Sequence, residues 1–132
     1  MSPRIVLVHG LGRDLHDWDA VVPGLTDLAE CIAVDLAGFG MEPPQLLRPG
    51  SVRRAVTSLR MPVAALYGRH DRLVPVQHAV RFKRLLPAAD VRVLQHAGHL
   101  VQLEDPGDVV AAVRRQVTAY AGAVVSTPGE GA

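Results

Sequence analysis

Asp71 and His99 are the residues in this chain best placed to do chemistry. Asp71 lies in Gly68-Arg69-His70-Asp71-Arg72, directly after the apolar run VAALY, and His99 ends Gln95-His96-Ala97-Gly98-His99, directly after VRVL. Each follows an expected strand, and one expected helix separates them. A right-handed crossover would bring both to one sheet edge, on strands about 4.8 Å apart if they are neighbours. A carboxylate beside an imidazole, in the crevice at the carboxyl ends of such strands, fixes the ring tautomer and stabilises the imidazolium. The histidine then serves as a general base. Alone, Asp71 could simply stabilise its own turn and His99 could be a satisfied, partly buried histidine. It is the pairing that points to catalysis.

The elements that must position this pair alternate between strand and helix. Arg4 to Gly12 (RIVLVHGLG) is a mostly β-branched run ending in His9-Gly10 and Gly12. It reads as a strand buried on both faces of a parallel sheet. The glycines let the backbone turn sharply and leave its N–H groups facing a ligand. Asp17-Trp18-Asp19 opens a helical pattern with Trp18, Val21, Val22, Leu25 and Leu28 at helical spacing and Pro23 in its early turns. Cys31 to Leu36 reads as a second buried strand, ending in Ala37-Gly38-Phe39-Gly40. Residues 41 to 50, rich in proline, read as a loop, and Ser51 to Arg60 as a short helix with Ser51 as N-cap. Val63 to Tyr67 is the third strand. A helix led in by Pro75 follows, with Val76, Ala79, Val80 and Leu86 on its inner face and Pro87 closing it. Val91 to Leu94 is the fourth strand. Asp105 then caps a last helix beginning at Pro106, with Val110, Val113 and Val117 on one face. The expected fold class is α/β, an open, mostly parallel sheet of about four strands with flanking helices. It forms one domain over residues 1–120, followed by a disordered tail over 121–132.

The totals bound the remaining possibilities. The chain has 132 residues, of which 48% are hydrophobic, and a formal net charge of +1, which suits a globular domain. No basic stripe argues for nucleic acid and no apolar run reaches membrane-spanning length. Cys31 is the sole cysteine, so no disulfide framework exists, and the six histidines show no metal-ligand spacing. The N-terminus runs straight into a strand without a signal-peptide pattern. The expectation is a cytoplasmic protein with no cofactor, no metal, no nucleic acid and no membrane partner.

Four stretches, in chain order, resemble the α/β-hydrolase superfamily. They are the HG-x-G turn at His9 to Gly12, VDLAGFG, GRHDRLVP and HAGHLVQLEDP. In the second, Ala37 stands where the family's turn usually has proline, and Asp35 is there a backbone-ordering acid. The resemblance implies that Asp71 is the acid and His99 the base of a catalytic triad. It also implies that the amide of Leu11 belongs to an oxyanion hole. The implied activity is hydrolysis of an ester, lactone or related acyl bond in a small-molecule substrate. The likeness covers nearly the whole chain except residues 41 to 60.

The departure from the family lies at the nucleophile, which should sit on a G-x-S-x-G elbow between Gly40 and Asp71. No such motif occurs, and from Pro43 to His70 there is no Asp, Glu or Cys. Ser51, Thr57 and Ser58 remain. Ser51 is the candidate nucleophile, although Arg53 crowds the position where an elbow needs a small residue, and Ser58 falls within the expected helix. The loss looks like an internal deletion with its seam at residues 41–50. Removing central strands exposes apolar edges. Either the third strand therefore pairs directly with the first, or the edges are hidden in a homodimer. The alternative function is a catalytically silent family member that binds a small molecule or self-associates. A nucleotide-binding module has neither G-x-G-x-x-G nor a P-loop motif to support it.

Overall fold

Among the described residues, four short parallel strands pair two by two. In the computed structural model, residues 3–10, 13–35, 59 and 61–125 are described. Strand β1 (Arg4–Val8) pairs with β2 (Glu30–Val34), in register from Arg4 opposite Glu30 to Val8 opposite Val34. Strand β3 (Ala64–Gly68) pairs with β4 (Asp90–Leu94), from Ala64 opposite Asp90 to Gly68 opposite Leu94. Helix α1 (Gln77–Leu85) crosses from β3 to β4, and α2 (Val101–Glu104) and α3 (Pro106–Val125) come after β4. The fold is α/β, as the strand-helix alternation predicts.

Of the two arrangements expected, direct pairing of the third strand with the first does not occur among the described residues. The strands make two separate two-stranded sheets, and a cleft of about 620 Å³ lies between β1 and β3. Its walls are Arg4, Ile5 and Val6 on one side and Met61, Pro62, Ala64 and Leu66 on the other, with Val109 to Tyr120 of α3 as the floor. The two halves are instead joined by packing. Val21, Leu25 and Val109 form a buried cluster, and Ile5 and Cys31 from the first half and Leu66 and Val113 from the second pack against it.

The segment between β1 and β2 departs from the helix expected of it. It is two short 3-10 turns, Leu15–Trp18 and Val22–Gly24. Pro23 supplies no N–H for an α-helical bond, and Gly24 lies against the chain of Val110, where a Cβ would come within 2.8 Å of a methyl carbon. Its apolar residues still reach the core, with Val21 and Leu25 fully buried. Strand β1 is not buried on both faces: Leu7 is buried, while Val6 is 59% and Val8 45% exposed. Val80 of α1, placed on the inner face by its spacing, is also exposed, and Ala79 is the buried residue of that helix. Helix α3 continues through Val125, so residues 121–125 are helical rather than part of a disordered tail. The seam at 41–50 and the expected helix from Ser51 lie outside the described residues. No helix among the described residues is long and apolar enough to cross a membrane.

Because Leu25 is wholly buried where the halves meet, Leu25→Ala is expected to cost about 3 kcal/mol in urea unfolding. Amide exchange in that variant should show both sheets losing protection together. Loss confined to β1 and β2 would mean that the cluster does not couple the halves.

Candidate active site

The β3–β4 ladder does not stop at the strand ends. The Arg69 N–H donates to the Leu94 carbonyl at 2.9 Å and the His70 N–H to the Ala97 carbonyl at 3.0 Å. These bonds carry the pairing into the two loops and bring the Asp71 turn beside the His99 turn. Gly68 makes the approach possible, because a Cβ there would lie 1.8 Å from the Gly98 carbonyl oxygen. The result is a 2.9 Å contact between His99 Nδ1 and Asp71 Oδ2. The other oxygen, Oδ1, accepts the Leu73 and Val74 amides at 2.8 Å each, an Asx-type turn that fixes the carboxylate. Burial alone would push the Asp71 carboxyl up. Bonds from the Val74 amide, His99 and the Leu73 amide outweigh it and hold the group below the usual carboxylate range.

The amino-terminal ends of β1 and β3 share the apolar cleft, and the loops beyond their carboxyl ends share a second crevice of about 850 Å³. Val8, Gly10, Arg13 and Trp18 line it from one half, and Leu73, His99, Leu100, Gln102 and Glu104 from the other. This is where ligands of open parallel sheets bind. The Trp18 indole N–H is buried without a hydrogen-bond partner among the described residues.

A buried carboxylate, which its sequence context places at a helix start, holds the two walls together. Asp17 is 1% exposed. Its Oδ1 and Oδ2 accept from Arg13 Nε at 2.9 and 3.1 Å, Arg13 Nη2 also donates to Oδ1, and Gln102 Nε2 donates to Oδ2 at 2.9 Å from across the crevice. The Arg13 guanidinium, which more than offsets the cost of burial, holds the Asp17 carboxyl below its ordinary range, with Gln102 assisting. Nearby, His9 is buried with Nε2 3.6 Å from Asp35 Oδ1, and the same oxygen accepts the Leu15 amide at 2.8 Å. Asp35 thus orders the backbone after the first turn.

Of the residues singled out from sequence, the structure brings Asp71 and His99 together. Leu11 and Ser51 lie outside the described residues. Glu104 and Gln102 are additions that the structure makes to the site. Their spacing of five and three residues after His99 is the signal in the sequence that could have found them. Among the described residues, no three His, Cys, Asp or Glu side chains are grouped to hold a metal.

Parallel strands, a crossing helix and an aspartate–histidine contact beyond the carboxyl ends of β3 and β4 fit an α/β hydrolase-like architecture. Residues 50–106 match the family profile of the α/β hydrolase fold. The crystal structure of a predicted CIB-like hydrolase from Thermoplasma acidophilum superimposes with a TM-score of 0.73 over 84% of each chain, at 14% identity, which is a likeness of fold. A pimeloyl-[acyl-carrier protein] methyl ester esterase of Aliivibrio fischeri is 31% identical over 109 residues, 83% of this chain and 35% of its own. An esterase of Mycobacterium tuberculosis is 46% identical over 39 residues, 30% of this chain and 12% of its own. The chain therefore spans about a third or less of the length of these curated relatives. The profile match over residues 50–106 and the likeness of fold together support an α/β-hydrolase superfamily member.

The Asp17 pair gives a pH dependence of defined sign. A carboxyl held low in the folded state stabilises the fold above its unfolded pKa of about 3.9, and that contribution is lost as pH falls through the lower, folded value. Asp17→Asn should therefore lower stability near neutral pH by about 2 kcal/mol and flatten the loss of stability below about pH 4. Urea melts from pH 2 to 7 report both effects. An unchanged acid slope would show that Asp17 is not a principal group in acid unfolding.

Proposed function

We propose that the protein hydrolyses ester, lactone or related acyl bonds of a small-molecule substrate bound in the crevice, with Asp71 and His99 as its acid–base pair. The observation that carries this reading is the 2.9 Å His99–Asp71 contact at the wall of that crevice. With Nδ1–H given to Asp71, Nε2 is left to take a proton from the attacking oxygen and return it to the leaving alcohol. The Leu11 amide, in the turn after β1, is the proposed oxyanion donor, a role supported by the HG-x-G sequence. Ser51 is the proposed attacking group if the chain uses a serine. Otherwise His99 activates water, giving a slower reaction that still depends on the same pair. Ester hydrolysis by the relatives from Aliivibrio fischeri and Mycobacterium tuberculosis supports the substrate class. No cofactor enters this chemistry. Cys31 is a free thiol, which suits the cytoplasm to which we assign the protein.

The test combines p-nitrophenyl ester hydrolysis with fluorophosphonate labelling. His99→Ala should lower the hydrolysis rate by about 100-fold. An adduct on Ser51 that disappears in His99→Ala would establish the serine route, and His99-dependent hydrolysis without an adduct would establish the water route. Hydrolysis indifferent to His99 would sink the proposal and leave a silent, ligand-binding member of the family.

We further propose that copies of the chain form a homodimer through the open edges of β1 and β3. These edges line an apolar cleft, beside which Val6 and Met61 are 59% and 60% exposed. Sedimentation should show concentration-dependent association that Val6→Lys weakens. A monomer at every concentration would rule it out.

A further inference from the structure

We infer that Glu104 is the positioning residue of His99: its carboxylate clamps the backbone on both sides of the imidazole-bearing residue. Oε2 accepts the Gly98 amide at 2.7 Å and Oε1 accepts the Leu100 amide at 3.0 Å. The space is shaped for it, since a Cβ on Gly98 would come within 3.0 Å of Oε2 and 3.2 Å of Oε1. Gly98 is thereby held between Glu104 on one side and the Gly68 backbone on the other. Helix capping accounts for only half of this arrangement. Leu100 is the N-cap of α2 and its own side chain makes no cap hydrogen bond, so the bond to its N–H serves the helix. The bond to Gly98 lies outside the helix and serves the loop. Through this clamp the imidazole keeps the direction that meets Asp71, a contact that no bond from the His99 side chain to its own loop secures among the described hydrogen bonds. The inference rests on the acid–base reading of Asp71 and His99, and its readout needs no turnover, so the two can fail separately.

The experiment is NMR on the whole chain with Glu104→Ala and Glu104→Gln. In Glu104→Ala the Gly98 and Leu100 amides should exchange about tenfold faster or more. The Asp71 carboxyl midpoint, held down in part by His99, should rise. Glu104→Gln keeps one acceptor oxygen and should fall between the parent and Glu104→Ala on both readouts. Deprotected amides with an unmoved Asp71 midpoint would mean that Glu104 only caps α2, and the inference is overturned. Protected amides in Glu104→Ala would overturn the clamp itself. If Glu104→Ala does not fold, an Asp71 midpoint in Glu104→Gln equal to the parent's overturns it as well.

Discussion

Two parallel ladders that share no strand must be held to one another by side chains, and the rest of the structure depends on how that is done. Among the described residues, β1–β2 and β3–β4 are separate sheets with a cleft between them. The buried cluster of Val21, Leu25 and Val109 takes over the task that a continuous sheet would perform. Burying a side chain of this size contributes roughly 1.5–3 kcal/mol, so a few such residues match a substantial part of a small domain's net stability. Gly24 sets the fit, because its missing side chain is the space that Val110 fills. Arg114 reaches across the same seam to Asp27 at 2.7 and 2.9 Å and to the Gly24 carbonyl at 3.1 Å. Both charged partners are well exposed, so this clip adds orientation more than stability.

The division between halves runs through the chemistry as well. Asp71 and His99 belong to one ladder, and their contact is a local consequence of β3–β4 pairing continued into the loops. The turn after β1 belongs to the other half. Its distance from His99 is set by whatever spans the crevice, and among the described hydrogen bonds Asp17–Gln102 does so directly. A buried carboxylate is a costly choice for such a bridge unless it is paired, and Arg13 pairs it. The arrangement has a geometric return. A carboxylate gripped by a two-point guanidinium contact has a fixed orientation, so the Gln102 bond fixes α2, and α2 carries Glu104 back to the His99 loop. Among the described hydrogen bonds, the two walls of the crevice are thus related by a chain of charge-assisted bonds.

How far the sequence can be read depends on the range over which each feature is determined. The Asp71–His99 pair is legible because a strand-helix-strand unit has one hand and a short reach. Helix α3 is legible from Asp105, Pro106 and the valine spacing, although the buried face is centred on Val109 and Ala112, one position from the expected set. The helix expected after Asp17 does not form because apolar spacing at Val21 and Leu25 reports burial, which two 3-10 turns satisfy equally well around Pro23 and Gly24. The clamp by Glu104 and the bridge by Asp17 and Gln102 are illegible for another reason. They are tertiary contacts between polar residues whose types fit any solvated helix face.

The exposed β1 face bears on how large a sheet the composition of this chain answers to. An unbroken run such as Ile5 to Val8 reads as a strand covered on both sides, and the run keeps that composition here while Val6 and Val8 lie open. The composition therefore answers to a larger sheet than the described strands form. Asp71 and His99 follow two adjacent, paired strands, so their contact involves no third strand. A nucleophile elbow needs its own strand and the helix behind it, and the sequence carries no G-x-S-x-G to mark one. Asp71 and His99 share one β-α-β unit, and that locality is what makes their contact legible from the sequence.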